Sequence, residues 1–137
     1  MTPLDQLEQK ITDRSVVVGV VGLGYVGLPL ASALHAGGAR VLGFDVDPSK
    51  ITAFTDGKNY LKHLGDDMFT ELAQSDRFDV TTDFARLAEA DAIIVCVPTP
   101  LREDRTPDLS YVTQTAGAIG KALRAGQLVV LESTTYP

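Results

Sequence analysis

Apolar residues fall into two rhythms along this chain. Short unbroken runs of valine, isoleucine, leucine and phenylalanine alternate with longer stretches in which apolar residues recur every three or four positions. The runs at residues 15–21, 40–44, 78–81, 92–97 and 127–131 predict five strands, and the fourth is apolar throughout, as a strand covered on both faces must be. The stretches at 25–36, 48–55, 66–74 and 84–88 predict helices. A further helix is predicted from a cap at Asp108 to about residue 124, with Val112, Ala116, Ile119 and Leu123 on its buried face. Leu4, Leu7 and Ile11 stand at helical spacing and predict one more helix over residues 3–12.

Punctuation agrees with this division. Pro29 stands in the first turn of its helix, where a missing N–H costs little, and Gly37-Gly38 closes that helix. Asp47 before Pro48 reads as an N-cap with proline at the first helical position, and Gly57 is a stop. Residues 56–65 read as a loop, and three prolines keep residues 98–107 irregular. Strand–helix alternation of this kind predicts an α/β protein: a Rossmann-type doubly wound parallel sheet, ordered 3-2-1-4-5, with helices on both faces. The expected organisation is a helical extension over residues 1–14 followed by a single domain over 15–137.

Candidate chemistry concentrates at the end of the first strand. There the chain reads Gly22-Leu23-Gly24-Tyr25-Val26-Gly27, a glycine motif set between a strand and a helix. The second strand ends on Asp45, roughly 20 residues on, which is the context a dinucleotide fingerprint requires. Gly22 permits the tight turn, Gly24 allows a pyrophosphate to approach the backbone, and Gly27 lets the helix pack on the strand. The helix N-terminus offers N–H donors to the phosphates. Asp45 is placed to accept hydrogen bonds from an adenosine ribose, and its charge repels a 2′-phosphate, which favours NAD over NADP. Lys50 faces either that ribose or water. In such a sheet ligands gather where strand order reverses, here between strands one and four. Thr99, Ser133 and Thr134 bring hydroxyls there, either as ligand contacts or as turn residues bonding their own backbone.

Composition narrows the partners. A net charge of -6 over 137 residues argues against nucleic acid or an anionic membrane surface. No apolar run approaches the ~20 residues of a spanning helix, and the N-terminus has no signal-peptide pattern, so a cytoplasmic location is expected. The single cysteine, Cys96, allows no intrachain disulfide and reads as a core residue within the fourth strand. Two histidines and one cysteine show no metal-ligand spacing, and no metal site is expected.

Several motifs in order carry a family resemblance. They are Gly22 to Ala31, Gly43-Phe44-Asp45-Val46-Asp47, Val97-Pro98-Thr99-Pro100-Leu101, Pro107-Asp108-Leu109-Ser110 and Leu131-Glu132-Ser133-Thr134-Thr135-Tyr136-Pro137. From about Ser15 onward the chain resembles the N-terminal NAD-binding domain of the UDP-glucose/GDP-mannose dehydrogenase family. Gly57-x-x-Tyr60-x-x-His63 and the closing motif resemble the branch acting on UDP-N-acetylhexosamines.

The resemblance implies oxidation of a sugar C6 alcohol to a carboxylate with two NAD+ and a cysteine thiohemiacetal. It implies that residues 22–27 hold the pyrophosphate, Asp45 and Lys50 the ribose, and Val97, Pro98, Thr99 and Pro100 the central and nicotinamide side. Ser133 and Thr134 would lie beside the nicotinamide, Thr134 matching a threonine near the catalytic water. The family's nucleophilic cysteine and its sugar-binding and C-terminal domains have no counterpart in these residues. The chain is therefore expected to bind NAD but not to oxidise a UDP-sugar alone, and the full-length enzyme to be a homodimer or larger. Two other readings are a stand-alone NAD(H)-binding regulatory module and the Rossmann domain of a different dehydrogenase.

Overall fold

The computed structural model describes residues 1–133, the His63 side chain excepted. Among them, β1 (Val17–Val21), β2 (Arg40–Phe44), β3 (Phe78–Thr81), β4 (Ala92–Val95) and β5 (Leu128–Leu131) form one parallel sheet ordered β3-β2-β1-β4-β5. The helices are α1 (Pro3–Thr12), α2 (Gly27–Ala36), α3 (Pro48–Asp56), α4 (Asp66–Gln74) and α5 (Ser110–Ala122), with 3-10 turns at Lys62–Leu64 and Phe84–Glu89. The expected doubly wound order is the observed one.

Both faces of the sheet are covered over β1 and β2, whereas Leu128, Val129 and Leu131 of the edge strand β5 are exposed, and the period-two alternation of the inner strands says what covers them. Val18, Val20 and Val41 face a core shared with Leu28 and Ala31 of α2 and Phe69 and Leu72 of α4. Val21, Leu42, Phe44, Ile93 and Val95 face the other way, toward Leu87 and Ile119. The register sets Val21 opposite Phe44 and Val95, Phe44 opposite Thr81, and Val95 opposite Leu131. All five strands thus finish level, and the loops leaving them start along one edge.

Some boundaries differ from expectation, each for a local reason. β1 starts at Val17 because Ser15 is occupied by Asp13, whose Oδ1 accepts from the Ser15 amide at 3.0 Å and hydroxyl at 2.6 Å. β4 ends at Val95. The Cys96 amide still donates to the Val21 carbonyl (2.7 Å), but Pro98 carries no amide hydrogen to extend the ladder. Tyr25 and Val26 form the turn before α2 instead of its first residues. The buried face of α5 is Val112, Thr115 and Ile119, flanked by Ala118 and Ala122, whereas Ala116 and Leu123 are exposed. Asp108 accepts from the Ser110 amide (2.9 Å) in the turn before that helix.

The N-terminal helix is tied in at the opposite edge of the sheet. A reciprocal Thr2–Asp5 capping box starts α1. From its last turn Lys10 donates to the buried Asp91 carboxylate at 2.7 Å. The Val17 amide (2.9 Å) and Arg124 (3.4 Å) donate to the same carboxylate. Burial works to raise the Asp91 pKa, but the hydrogen bonds from Lys10, Val17 and Arg124 and the Lys10 charge hold it below the usual value. His35 is also buried, its Nε2 2.7 Å from the Ser75 hydroxyl.

Candidate functional site

A cleft of about 1020 Å³ opens at the level edge, where strand order reverses between β1 and β4. Its floor is the turn from β1 into α2. One side is the end of β2, from Asp45 to Lys50, and the other is formed by residues following β4 and β5. Thr82, Phe84, Gln114, Thr115 and Ala118 also line it. The volume is at the upper end of ordinary small-molecule sites, ~300–1,000 Å³.

The three glycines of the turn differ in what they answer to. Gly22 has φ +99°, and a Cβ there would lie 2.5 Å from the Cys96 carbonyl oxygen. A Cβ on Gly27 would run into the Gly22 carbonyl, so helix and turn meet too closely for a side chain. Those two are required by the fold. Gly24 is not: no heavy atom of the described residues lies within 4 Å of a Cβ built there, and its φ is not left-handed. What Gly24 leaves open is space in the cleft, as the approach of a diphosphate to the backbone demands. The helix end beside it suits an anion, because Val26 provides no side-chain cap and the first turn of α2 holds no acidic residue.

Asp45 is buried at the end of β2 and already engaged. Its Oδ2 accepts from the Leu23 amide at 2.9 Å and from Lys50 Nζ at 3.3 Å, and its Oδ1 from the Asp47 amide at 3.0 Å. A carboxylate offers about four acceptor positions, so capacity for a hydroxyl donor remains. Lys50 therefore faces Asp45 at the acidic end of β2. Asp47 caps α3 through the Ser49 hydroxyl and amide, whose hydrogen bonds hold its pKa low. Tyr60 approaches from the segment after α3, its hydroxyl donating to the Leu23 carbonyl at 2.6 Å. Burial pushes the Tyr60 phenol well above its ordinary value, with the Asp45 and Asp47 charges adding to the effect.

Across the cleft Val97, Pro98, Thr99 and Ser133 line the wall, while Pro100 does not reach it. The Ser133 hydroxyl donates to the Val97 carbonyl at 2.9 Å, so it serves as a backbone tie as well as a lining group. Thr134 lies outside the described residues. Cys96 departs from its expected place: it stands just past the end of β4, half-buried, and lines the cleft. Burial, with the Glu132 charge beside it, raises its thiol above the ordinary range.

Of the residues singled out from sequence, Gly22, Leu23, Gly24, Tyr25, Val26, Asp45, Lys50, Val97, Pro98, Thr99 and Ser133 meet in this one cleft, and Gly27 packs beneath it. Tyr60, Glu132 and the wall from α5 were not singled out as site residues. For Tyr60 a signal existed, the Gly57-x-x-Tyr60-x-x-His63 spacing. For Gln114 and Thr115 none did, because their position follows from how α5 packs.

An open glycine turn, an uncapped helix end and a carboxylate on the neighbouring strand define a Rossmann domain of the dinucleotide-binding class. Residues 16–137 match the model of the UDP-glucose/GDP-mannose dehydrogenase family, NAD binding domain. The chain belongs to that family, as its NAD-binding domain.

It is 37% identical over 125 residues to the UDP-N-acetyl-D-glucosamine 6-dehydrogenase of Pseudomonas aeruginosa, covering 90% of this chain and 28% of that protein. It is 36% identical over 119 residues to the UDP-N-acetyl-D-mannosamine dehydrogenase of Campylobacter jejuni, covering 86% of this chain and 29% of that one. The crystal structure of the NDP-N-acetyl-D-galactosaminuronic acid dehydrogenase of Methanosarcina mazei Go1 superposes with a TM-score of 0.83 at 31% identity, covering 100% of this chain and 31% of its own. The chain thus spans less than a third of the length of these relatives. Among the described residues no helix is long and apolar enough to cross a membrane.

Proposed function

We propose that this chain is the cofactor domain of a nucleotide-sugar 6-dehydrogenase, a larger enzyme that oxidises the C6 alcohol of a UDP-N-acetylhexosamine to the uronic acid. NAD+ supplies the hydride acceptor for each of the two oxidations. In this reading the backbone at residues 22–27 and the N-terminus of α2 hold the pyrophosphate. Asp45 accepts from the adenosine ribose with Lys50 beside it, and the wall of Val46, Phe84 and Thr115 takes the adenine. Val97, Pro98, Thr99, Ser133 and Thr134 border the nicotinamide, with Pro100 supporting that loop. The sugar-binding groups and the nucleophile belong to other parts of the longer protein, which we take to be cytoplasmic and at least dimeric.

The observation that carries this reading is Gly24. Nothing in the described fold requires a glycine there, and the space it leaves faces an uncapped helix end opposite a carboxylate. The substrate class is supported by the activities for which the relatives are named. Calorimetric titration of the 137-residue chain with NAD+ and NADP+ tests the cofactor assignment, with NAD+ expected to bind the more tightly. The full-length enzyme, given UDP-N-acetylglucosamine and UDP-N-acetylmannosamine, is expected to form two NADH per sugar oxidised. NAD+ binding by a full-length protein inert toward every UDP-sugar would favour a regulatory module instead.

A further inference from the structure

Tyr60 lies on a segment that no strand end or glycine motif requires, yet it reaches into the floor of the cleft. Its ring meets Phe54 and Phe69 edge-on, at centroid separations of 6.1 and 5.9 Å, so its orientation is set by the core between α3 and α4. From that seat the hydroxyl donates to the Leu23 carbonyl at 2.6 Å, while Lys50 Nζ stands 5.9 Å from the ring centroid. Leu23 separates the two glycines of the turn, and its amide donates to Asp45. Both peptide groups of that residue are thereby held, one by Asp45 and the other by Tyr60. Lys50 closes the circuit by touching Asp45 and facing Tyr60.

We propose that Tyr60 is a positioning residue of the cofactor site: its hydroxyl holds the glycine turn open for a diphosphate, and its ring seats Lys50 against the ribose-binding carboxylate. The inference rests on the NAD reading above. The ordering of the turn is then complete before ligand arrives, so binding does not have to supply it. The circuit also directs Lys50 toward Asp45 and away from a 2′-phosphate.

The test uses the 15N-labelled chain, titrated by NMR with NAD+, NADP+ and adenosine. Tyr60→Phe removes the hydroxyl and keeps the ring. It is expected to weaken NAD+ binding about five- to tenfold, the loss of one hydrogen bond. Adenosine, which carries no phosphate, should bind as before, and shifts in the free protein should centre on the Leu23 and Gly24 amides. Tyr60→Leu removes the ring as well and should also narrow the preference for NAD+ over NADP+. Equal NAD+ affinity in wild type and Tyr60→Phe overturns the inference alone. A parallel loss of adenosine and NAD+ binding in Tyr60→Phe also overturns it, since that marks a merely structural role. Failure of the wild-type chain to bind NAD+ overturns the cofactor reading and this inference with it.

Discussion

Leu23 and Asp45, 22 residues apart, are joined by a 2.9 Å hydrogen bond from the Leu23 amide to Asp45 Oδ2. The acidic residue at the end of β2 therefore does two jobs: it shapes the glycine turn and it faces the cleft. A substitution at Asp45 acts on both, and the amide and the alanine at this position separate them.

Asp45→Asn keeps an oxygen for the Leu23 amide but removes the charge. NAD+ affinity should fall about tenfold, or ~1.4 kcal/mol, as one charge-assisted hydrogen bond weakens. NADP+ should lose less or gain, because Lys50, 3.3 Å away, is then released toward a 2′-phosphate. Asp45→Ala should weaken NAD+ further and also destabilise the turn. Calorimetry with both cofactors reads the ratio, and a ratio unchanged in Asp45→Asn would show that the charge does not discriminate.

The first two glycines should separate folding from binding. Gly22→Ala places a Cβ at φ +99° against the Cys96 carbonyl and should destabilise the fold by about 2 kcal/mol or more. Gly24→Ala meets nothing among the described residues, so stability should stay within about 0.5 kcal/mol while NAD+ binding drops sharply. Urea denaturation beside cofactor titration distinguishes the two. A Gly24→Ala chain that binds NAD+ like wild type would remove the main support for the proposed function.

The parts of this molecule that were legible in sequence are those written locally. β2 and β3 begin and end where the apolar runs do, and α1 and α4 fall where their periodicity places them. The glycine turn was readable as a turn because Gly22 and Gly27 answer to backbone geometry, which is local. The face of α5 was not. Its small residues give a weak pattern, and burial of Thr115 in place of Ala116 depends on the shape of the opposing surface. Tyr60 could be seen as part of a spacing, but its hydrogen bond spans 37 residues and depends on where α3 and α4 seat the ring. Cys96 was misplaced because an apolar run does not say where the ladder stops. Pro98, which has no amide hydrogen to offer, decides that.

Cys96 provides a probe of the cleft from inside. Its thiol is raised by burial and by Glu132, so alkylation by iodoacetamide at pH 7 should be slower than that of an unhindered cysteine. The rate should climb about tenfold per pH unit up to and beyond pH 9, since the thiolate is the reacting species. Saturating NAD+ should slow it, because Cys96 lines the wall of the same cleft. Mass spectrometry of the labelled chain follows both effects, and labelling indifferent to NAD+ would put the cofactor elsewhere.

Asp91 should decide how the fold responds to acid. It is buried, and it joins α1, β1 and the segment after α5 through Lys10, the Val17 amide and Arg124. Asp91→Asn leaves those donors facing a neutral group and should cost about 2 kcal/mol at pH 7. Lys10→Met should cost under about 1 kcal/mol, because the Lys10 side chain is 45% exposed and water screens its charge. The Asp91 pKa is lower folded than unfolded, so its contribution is fully present above the unfolded value and disappears as pH falls through the folded one. The stability gap between wild type and Asp91→Asn should therefore be flat from about pH 5 to 8 and close below about pH 4. Urea denaturation across that range measures it, and a gap that persists undiminished at pH 2.5 would mean that packing, not charge, is what Asp91 contributes.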